Sequence, residues 1–232
     1  MTTSTYRAAL RQLLTPAERR VFARLNAPHK VQAFIDALPA NFELDGETIM
    51  SPRRTLKSRR AHCAEGALLA AAVLSFHGIR CWLMDIRSLP SDADHVVTLF
   101  RVRGLWGAIS KTNHAILRWR DPIYRSPREL AMSYAHEYAL PGGKKSMLEF
   151  SRPFSLLRFA PKRWVTADDD LDWLIEALDD APHHAVAPPA ALRKRRRTSA
   201  FERRAQDIVE WPDPRKATRK SRVSPAVTKR RG

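Results

Sequence analysis

Two residues of this sequence could carry nucleophilic chemistry together: Cys63, in AHCAEGALLAAAVLSFHG, and His95, which opens HVVTLFRVR. The apolar run around Cys63 predicts a helix over 62–77, ended by Gly78 as a left-handed cap, with Cys63 in its first turn. There the unsatisfied backbone N–H groups favour a thiolate, and the thiolate rather than the thiol is the nucleophile. An imidazole beside it would take the thiol proton and later give it to a leaving amine. The chemistry this pairing suits is attack on an amide carbonyl, leaving an acyl thioester on Cys63. The Cys63 backbone N–H would be one oxyanion donor.

A third group must hold the imidazole in one orientation. HVVTLFRVR and the residues 105–109 flank Gly104 and read as a tight hairpin. With the turn centred between Arg103 and Gly104, His95 lies opposite Thr112, with Ser110 as its same-face diagonal neighbour. With the turn centred on Gly104, His95 lies opposite Asn113. Directly opposed residues approach to about 4.5–5.5 Å and diagonal ones to about 7–8 Å. Either Asn113 or Ser110 could therefore reach the ring.

Other elements must position these groups. Thr15-Pro16-Ala17-Glu18 reads as a capping box opening a helix, and Val31, Phe34, Ile35 and Leu38 mark a second one stopped by Pro39. Residues 42–50 look irregular and 51–60 basic and turn-like. The Cys63 helix is apolar nearly all round and should be buried on most sides. Residues 79–86 and 95–103 read as strands. Ser126-Pro127-Arg128-Glu129 reads as a further capping box, opening a helix to about Tyr138, and a last helix covers about 171–178. His62 neighbours Cys63, but its side chain is expected about 100° away around the helix, so it receives no role. Glu65 is read as structural, serving the helix N-terminus or meeting Arg59 or Arg60. Cys81 and Trp82, Trp106 and Trp119 are read as core or site wall, and a Cys63–Cys81 disulfide is disfavoured.

The order of a Cys-headed buried helix, a strand, a His-headed strand and a Trp-bearing hairpin strand resembles the transglutaminase-like superfamily. The residues that carry it are HCAEGALLAAAVLSFHGI, DHVVTLF and LWGAIS, and the likeness covers about residues 28–125. The resemblance implies an α+β fold with the core shared by papain-like cysteine peptidases: a Cys-bearing helix packed on a small antiparallel sheet. It implies a Cys–His–Asp triad acting as peptidase, amidase or transamidase without a metal or organic cofactor, on a peptide or amide substrate. In that family a Trp precedes the catalytic Asp by four positions. Here Trp106 has Ser110 at that spacing, so the acid is missing. Asn113 could substitute, as an Asn does in papain-like enzymes.

Composition bounds the rest. The 232 residues are 44% hydrophobic and include two cysteines, too few for a disulfide framework. No stretch approaches the roughly 20 apolar residues of a membrane span, and the first residues lack a secretory pattern. These features, with an Ala- and Arg-rich composition of bacterial character, lead to the expectation of a bacterial cytoplasmic protein. The net charge is +17, and residues 190–232 hold 15 Lys/Arg against 4 Asp/Glu. The expected organisation is one folded domain over 1–183 and a disordered basic tail over 184–232, with a short helix near 200–211. Such a tail binds polyanions, nucleic acid included, with little sequence specificity. A second reading follows: a catalytically degenerate module that its tail tethers to nucleic acid or another polyanion.

Overall fold

The computed structural model describes residues 2–215. Its helices are α1 (Thr3–Leu13), α2 (Pro16–Arg24), α3 (Pro28–Asp36), α4 (Pro52–Ser58), α5 (Cys63–Phe76), α6 (Pro127–Tyr134), α7 (Lys162–Val165), α8 (Asp172–Asp179), α9 (Pro189–Arg193) and α10 (Ala200–Asp207). Its strands are β1 (Cys81–Arg87), β2 (His95–Val102), β3 (Leu105–Ile109), β4 (Arg120–Tyr124), β5 (Glu149–Ser151) and β6 (His183–Ala185). The strands form one antiparallel sheet in the order β4-β3-β2-β1-β5-β6. The fold is α+β, and no described helix is long and apolar enough to cross a membrane.

Helix α5 lies on one face of the sheet, and every residue from Ala64 to Phe76 is buried. Its side chains pack with Leu83, Val96, Phe100 and Ile109, and Thr98 Oγ1 donates to the Ala67 carbonyl at 2.6 Å. The alternate residues Met84, Ile86, Val97, Leu99 and Ala108 point to the other face, where α6 covers them with Leu130, Ala131 and Tyr134. Each fully buried Leu or Phe contributes about 1.5–3 kcal/mol of transfer free energy, so the sheet is anchored on both sides. Helices α1, α3, α4 and α7 close around α5, which explains why its sequence has no polar stripe. Gly66 is required here: a Cβ at that position would overlap the Lys111 side chain, which crosses the helix on its way to the Leu38 carbonyl.

The β2–β3 hairpin settles the register. Arg103 and Gly104 both have positive φ, 49° and 85°, the two-residue turn whose twist suits a hairpin. Val102 then pairs with Leu105 and Thr98 with Ile109. This is the register in which Ser110 is the diagonal neighbour of His95.

Several local readings are corrected. Residues 52–58 form α4, because Ser51 caps Arg54 N and Pro52 takes the first helical position. Ser126 caps Glu129 N, but Glu129 accepts from Arg125 N instead of closing a capping box, and α6 ends at Tyr134. The largest correction concerns the expected tail. Structured chain continues past 183: β6 pairs with β5, Val186 is buried, and α9 and α10 follow. Arginines there serve backbone carbonyls; Arg195 donates to Met147 O at 2.8 Å and Lys145 O at 3.1 Å. The part of the expected tail beyond 215 lies outside the described residues.

Candidate active site

Cys63 is the first residue of α5, half-buried at the edge of a cleft of about 850 Å³ that His62, His95, Asn113, Tyr138 and Trp211 also line. Its backbone N–H, at the head of the helix, has no partner among the described residues. The position of that helix start is set by Glu65, a carboxylate that is fully buried. Glu65 accepts from His62 N at 3.0 Å, Met50 N at 3.1 Å, Thr48 Oγ1 at 3.0 Å, and Asn41 Nδ2 at 3.1 and 3.2 Å. Glu65 is thus structural, but its partners are the 41–50 loop and the His62 backbone instead of Arg59 or Arg60.

His95, at the start of β2, is buried, and its ring lies near enough to the Cys63 thiol to lower the thiol pKa. Its Nε2 lies 2.7 Å from Ser110 Oγ. The Ser110 hydroxyl has one proton, and that proton goes to the Leu117 carbonyl, which can only accept. Ser110 Oγ must therefore accept from His95, so Nε2 carries hydrogen and Nδ1 is free to face the thiol. The tautomer follows from the chemistry of three atoms.

Ser110 is itself held from both sides. Gln32, buried on α3, donates to the Ser110 carbonyl at 2.8 Å and accepts from its N–H at 2.9 Å, replacing the ladder bonds that end at Ile109. Leu117 has φ +58°, a left-handed conformation unusual for a side chain of its size. There its carbonyl meets Ser110 and its N–H donates to Glu137 Oε2 at 2.6 Å, while Arg120 grips the other Glu137 oxygen at 2.6 Å. Strain of this kind persists only where surrounding bonds over-determine it.

Asn113 is not part of this chain of bonds. It exchanges two hydrogen bonds with the Trp211 backbone, at 2.8 and 2.9 Å, and its carbonyl accepts from Glu210 N at 2.9 Å. The observed hairpin register places Thr112 rather than Asn113 across from His95, which leaves Asn113 free to tie residues 208–211 along the cleft wall. The structure therefore brings together Cys63, His95 and Ser110, and separates Asn113 from them.

His62, expected to point away from Cys63, instead sits beside it. It is the N-cap of α5, with extended φ −96° and ψ −172°, so the helical 100° step to Cys63 does not apply. Its Nε2 lies 2.7 Å from the Thr48 carbonyl and must donate there, and its Nδ1 accepts from Ala64 N at a long 3.3 Å. The ring also lies near enough to Cys63 to lower the thiol pKa. The Ala64 cap needs a lone pair on Nδ1, whereas an imidazolium would present a proton there to a thiolate. A bond to a thiolate, being charge-assisted, would compete with the cap for this nitrogen. Burial pulls the His62 pKa down, but the Cys63 bond and charge, with Glu65 behind, carry it up to about 9. Burial pushes the Cys63 thiol up, and the bonds and charges of His62 and His95 outweigh it, leaving the thiol well below its ordinary value.

Cys81 is free, packed at the edge of the α5 core, and donates to Ala71 O at 3.5 Å. Trp82 packs on Trp106 with ring centres 5.0 Å apart, and Trp119 stacks on Phe100 at 5.1 Å.

Fold and site together define an α+β protein with a half-buried thiol flanked by two imidazoles. No family model matches the chain, and no curated protein matches it. Among solved structures it matches Legionella pneumophila LapG (EGTA-treated) at 11% identity, covering 66% of this chain and 82% of that one, with a TM-score of 0.36. At that score the likeness carries no argument.

Proposed function

We propose that this protein is a cysteine-dependent amide hydrolase or acyl transferase, of the transglutaminase-like type its sequence resembles, working through a thioester on Cys63. The observation that supports the reading is the bond of His95 Nε2 to Ser110, whose own proton goes to the Leu117 carbonyl, in a ring that lowers the Cys63 thiol pKa and keeps Nδ1 free to take the thiol proton. Cys63 attacks the carbonyl of a peptide or amide, and His95 takes the thiol proton and delivers it to the leaving amine. Water or an amine then resolves the thioester. Ser110 orients the ring in place of an acid. The test is the pH profile of Cys63 alkylation by iodoacetamide in a Cys81→Ser background. A midpoint well below the ordinary thiol value of about 8.5, with turnover of an amide substrate abolished in Cys63→Ser, is expected. A midpoint at or above that value sinks the reading.

One observation favours a second reading. Ser110 brings no negative charge to His95, and exposed basic residues stand at Arg193, Lys194, Arg196 and Arg197, at the end of α9 and between α9 and α10. A degenerate scaffold tethered to nucleic acid through residues 190–232 would show this. Its mark is binding to duplex DNA that weakens steeply with salt and disappears on deleting 190–232, alongside an ordinary Cys63.

A further inference from the structure

Tyr138 is 3% exposed, and its hydroxyl has no hydrogen-bond partner among the described residues. Buried side-chain donors are rarely left this way, and those that are call for a reason. Tyr138 is one of the residues that line the cleft of Cys63 and His95. It cannot swing out to water. The Tyr138 carbonyl accepts from Ser146 N at 3.2 Å, Ala139 bridges to Lys145, and the ring packs in one cluster with Val97 and Leu99. Those two residues share His95's face of β2, so Tyr138 sits on the side of the sheet from which the imidazole works.

The carboxylates around it bond to other donors and none bonds to its hydroxyl. Asp92 accepts from Ser146 Oγ and Ala93 N, and Asp94 accepts from Ser88 N and Ser88 Oγ. Burial holds the Tyr138 phenol well above its ordinary pKa, with the Cys63 charge adding to the effect and the Asp92, Asp85 and Asp94 charges after it. The hydroxyl therefore keeps its proton and has it to donate. No described residue supplies its acceptor, and a ligand in the cleft could.

We propose that the Tyr138 hydroxyl donates to the substrate's carbonyl oxygen as that oxygen becomes the oxyanion of the tetrahedral intermediate on Cys63. The role rests on the thioester reading above. The Cys63 sulfur–carbon bond forms as the carbonyl π pair moves onto oxygen, where Tyr138 O–H and Cys63 N–H both hydrogen-bond to it. No proton leaves the tyrosine. Collapse restores the C=O bond and breaks the bond to the leaving nitrogen, which takes its proton from His95.

Two probes of Cys63 separate this role from packing. Iodoacetamide reacts by displacement at a saturated carbon and forms no oxyanion; p-nitrophenyl acetate acylates through one. Both are applied to the full chain in a Cys81→Ser background, with and without Tyr138→Phe, which keeps the ring. The expected result is an alkylation rate and pH midpoint unchanged within about twofold, with acylation slowed by about 100-fold. Equal acylation rates in the two proteins overturn the proposal, and so does an equal slowing of both probes, which marks a packing role. A wild-type thiolate that alkylates readily but acylates no faster than a free thiol of the same pKa overturns it too. An ordinary alkylation midpoint in both proteins instead sinks the thioester reading, and the donor role falls with it.

Discussion

His95 and Ser110 are joined by a 2.7 Å hydrogen bond whose direction is set by a third atom, the Leu117 carbonyl that takes the serine proton. A hydroxyl in this position fixes the ring's tautomer as a carboxylate would, but adds no charge to stabilise an imidazolium. Ser110→Ala is therefore expected to slow Cys63 acylation by about tenfold, the value of roughly one hydrogen bond. Ser110→Asp is not a repair. It sets a carboxylate without a proton against the Leu117 carbonyl, so two acceptors face each other in a buried site. Its expected outcome is a lower melting temperature and no gain in acylation rate; a rate above wild type contradicts the assignment of the Ser110 proton.

Two imidazoles act on one thiol, and removing either should show only part of the effect. His62→Ala and His95→Ala are each expected to raise the midpoint of Cys63 alkylation, because each ring lowers the thiol pKa. The double variant should raise it further, toward or beyond about 8.5, since burial then acts unopposed. Below its midpoint each variant loses about tenfold in rate per pH unit. If the double variant has the same midpoint as His95→Ala alone, His62 is idle.

The elements that position Cys63 and His95 were legible for specific reasons. The α5 run is apolar on every side, Gly78 at φ +74° ends it, and the Arg103–Gly104 turn dictates the pairing that brings Ser110 diagonal to His95. What could not be read lacked a periodic signal. Strands β4 to β6 are short, and their burial does not alternate cleanly against hydrophobicity; β4 carries Arg120, Asp121 and Pro122. Residues 184–211 have the composition of a disordered tail, yet their arginines bond carbonyls and Asn113 holds the Trp211 backbone. Gln32 left a trace that could have been used: a glutamine beside Val31 on the stripe of α3 that faces the core. His62 was missed because helical geometry was extended one residue past the helix.

The buried Glu65 carboxylate is the post on which this helix start is hung. It serves donors from Asn41, Thr48, Met50 and His62 and has no Lys or Arg beside it. Glu65→Gln keeps the size but turns an NH₂ group toward backbone N–H donors. Leaving a buried donor unmet costs about 1–3 kcal/mol, so urea unfolding should show a loss of that order. Cys63 alkylation should also become slower, because His62 and the first N–H groups of α5 lose their fixed placement. Unchanged stability would mean that the 41–50 loop does not depend on this carboxylate.

A second His–carboxylate pair, remote from the thiol in the sequence of contacts, makes a prediction about stability. Asp85, on β1, is 1% exposed; His183 Nε2 lies 3.0 Å from its Oδ2 and Arg87 Nε 3.5 Å. Burial raises the Asp85 carboxyl to about 6, the His183 bond works against that, and the charges of Asp94 and Asp179 add to the rise. A folded pKa above the unfolded value of about 3.9 means that folding takes up a proton between about pH 4 and 6. This group's contribution to stability is therefore greatest below about pH 4 and is lost as pH rises through about 6. Asp85→Asn can still donate from its amide to His183 Nε2, so the variant keeps the contact and loses the titration. Urea unfolding of both proteins at pH 4, 5, 6 and 7 isolates the group, because every other carboxylate cancels in the difference. The variant should gain on wild type as pH rises from 4 to 6 and hold that gain at 7. A difference that stays constant, or that shrinks with rising pH, would show that folding does not raise the Asp85 carboxyl.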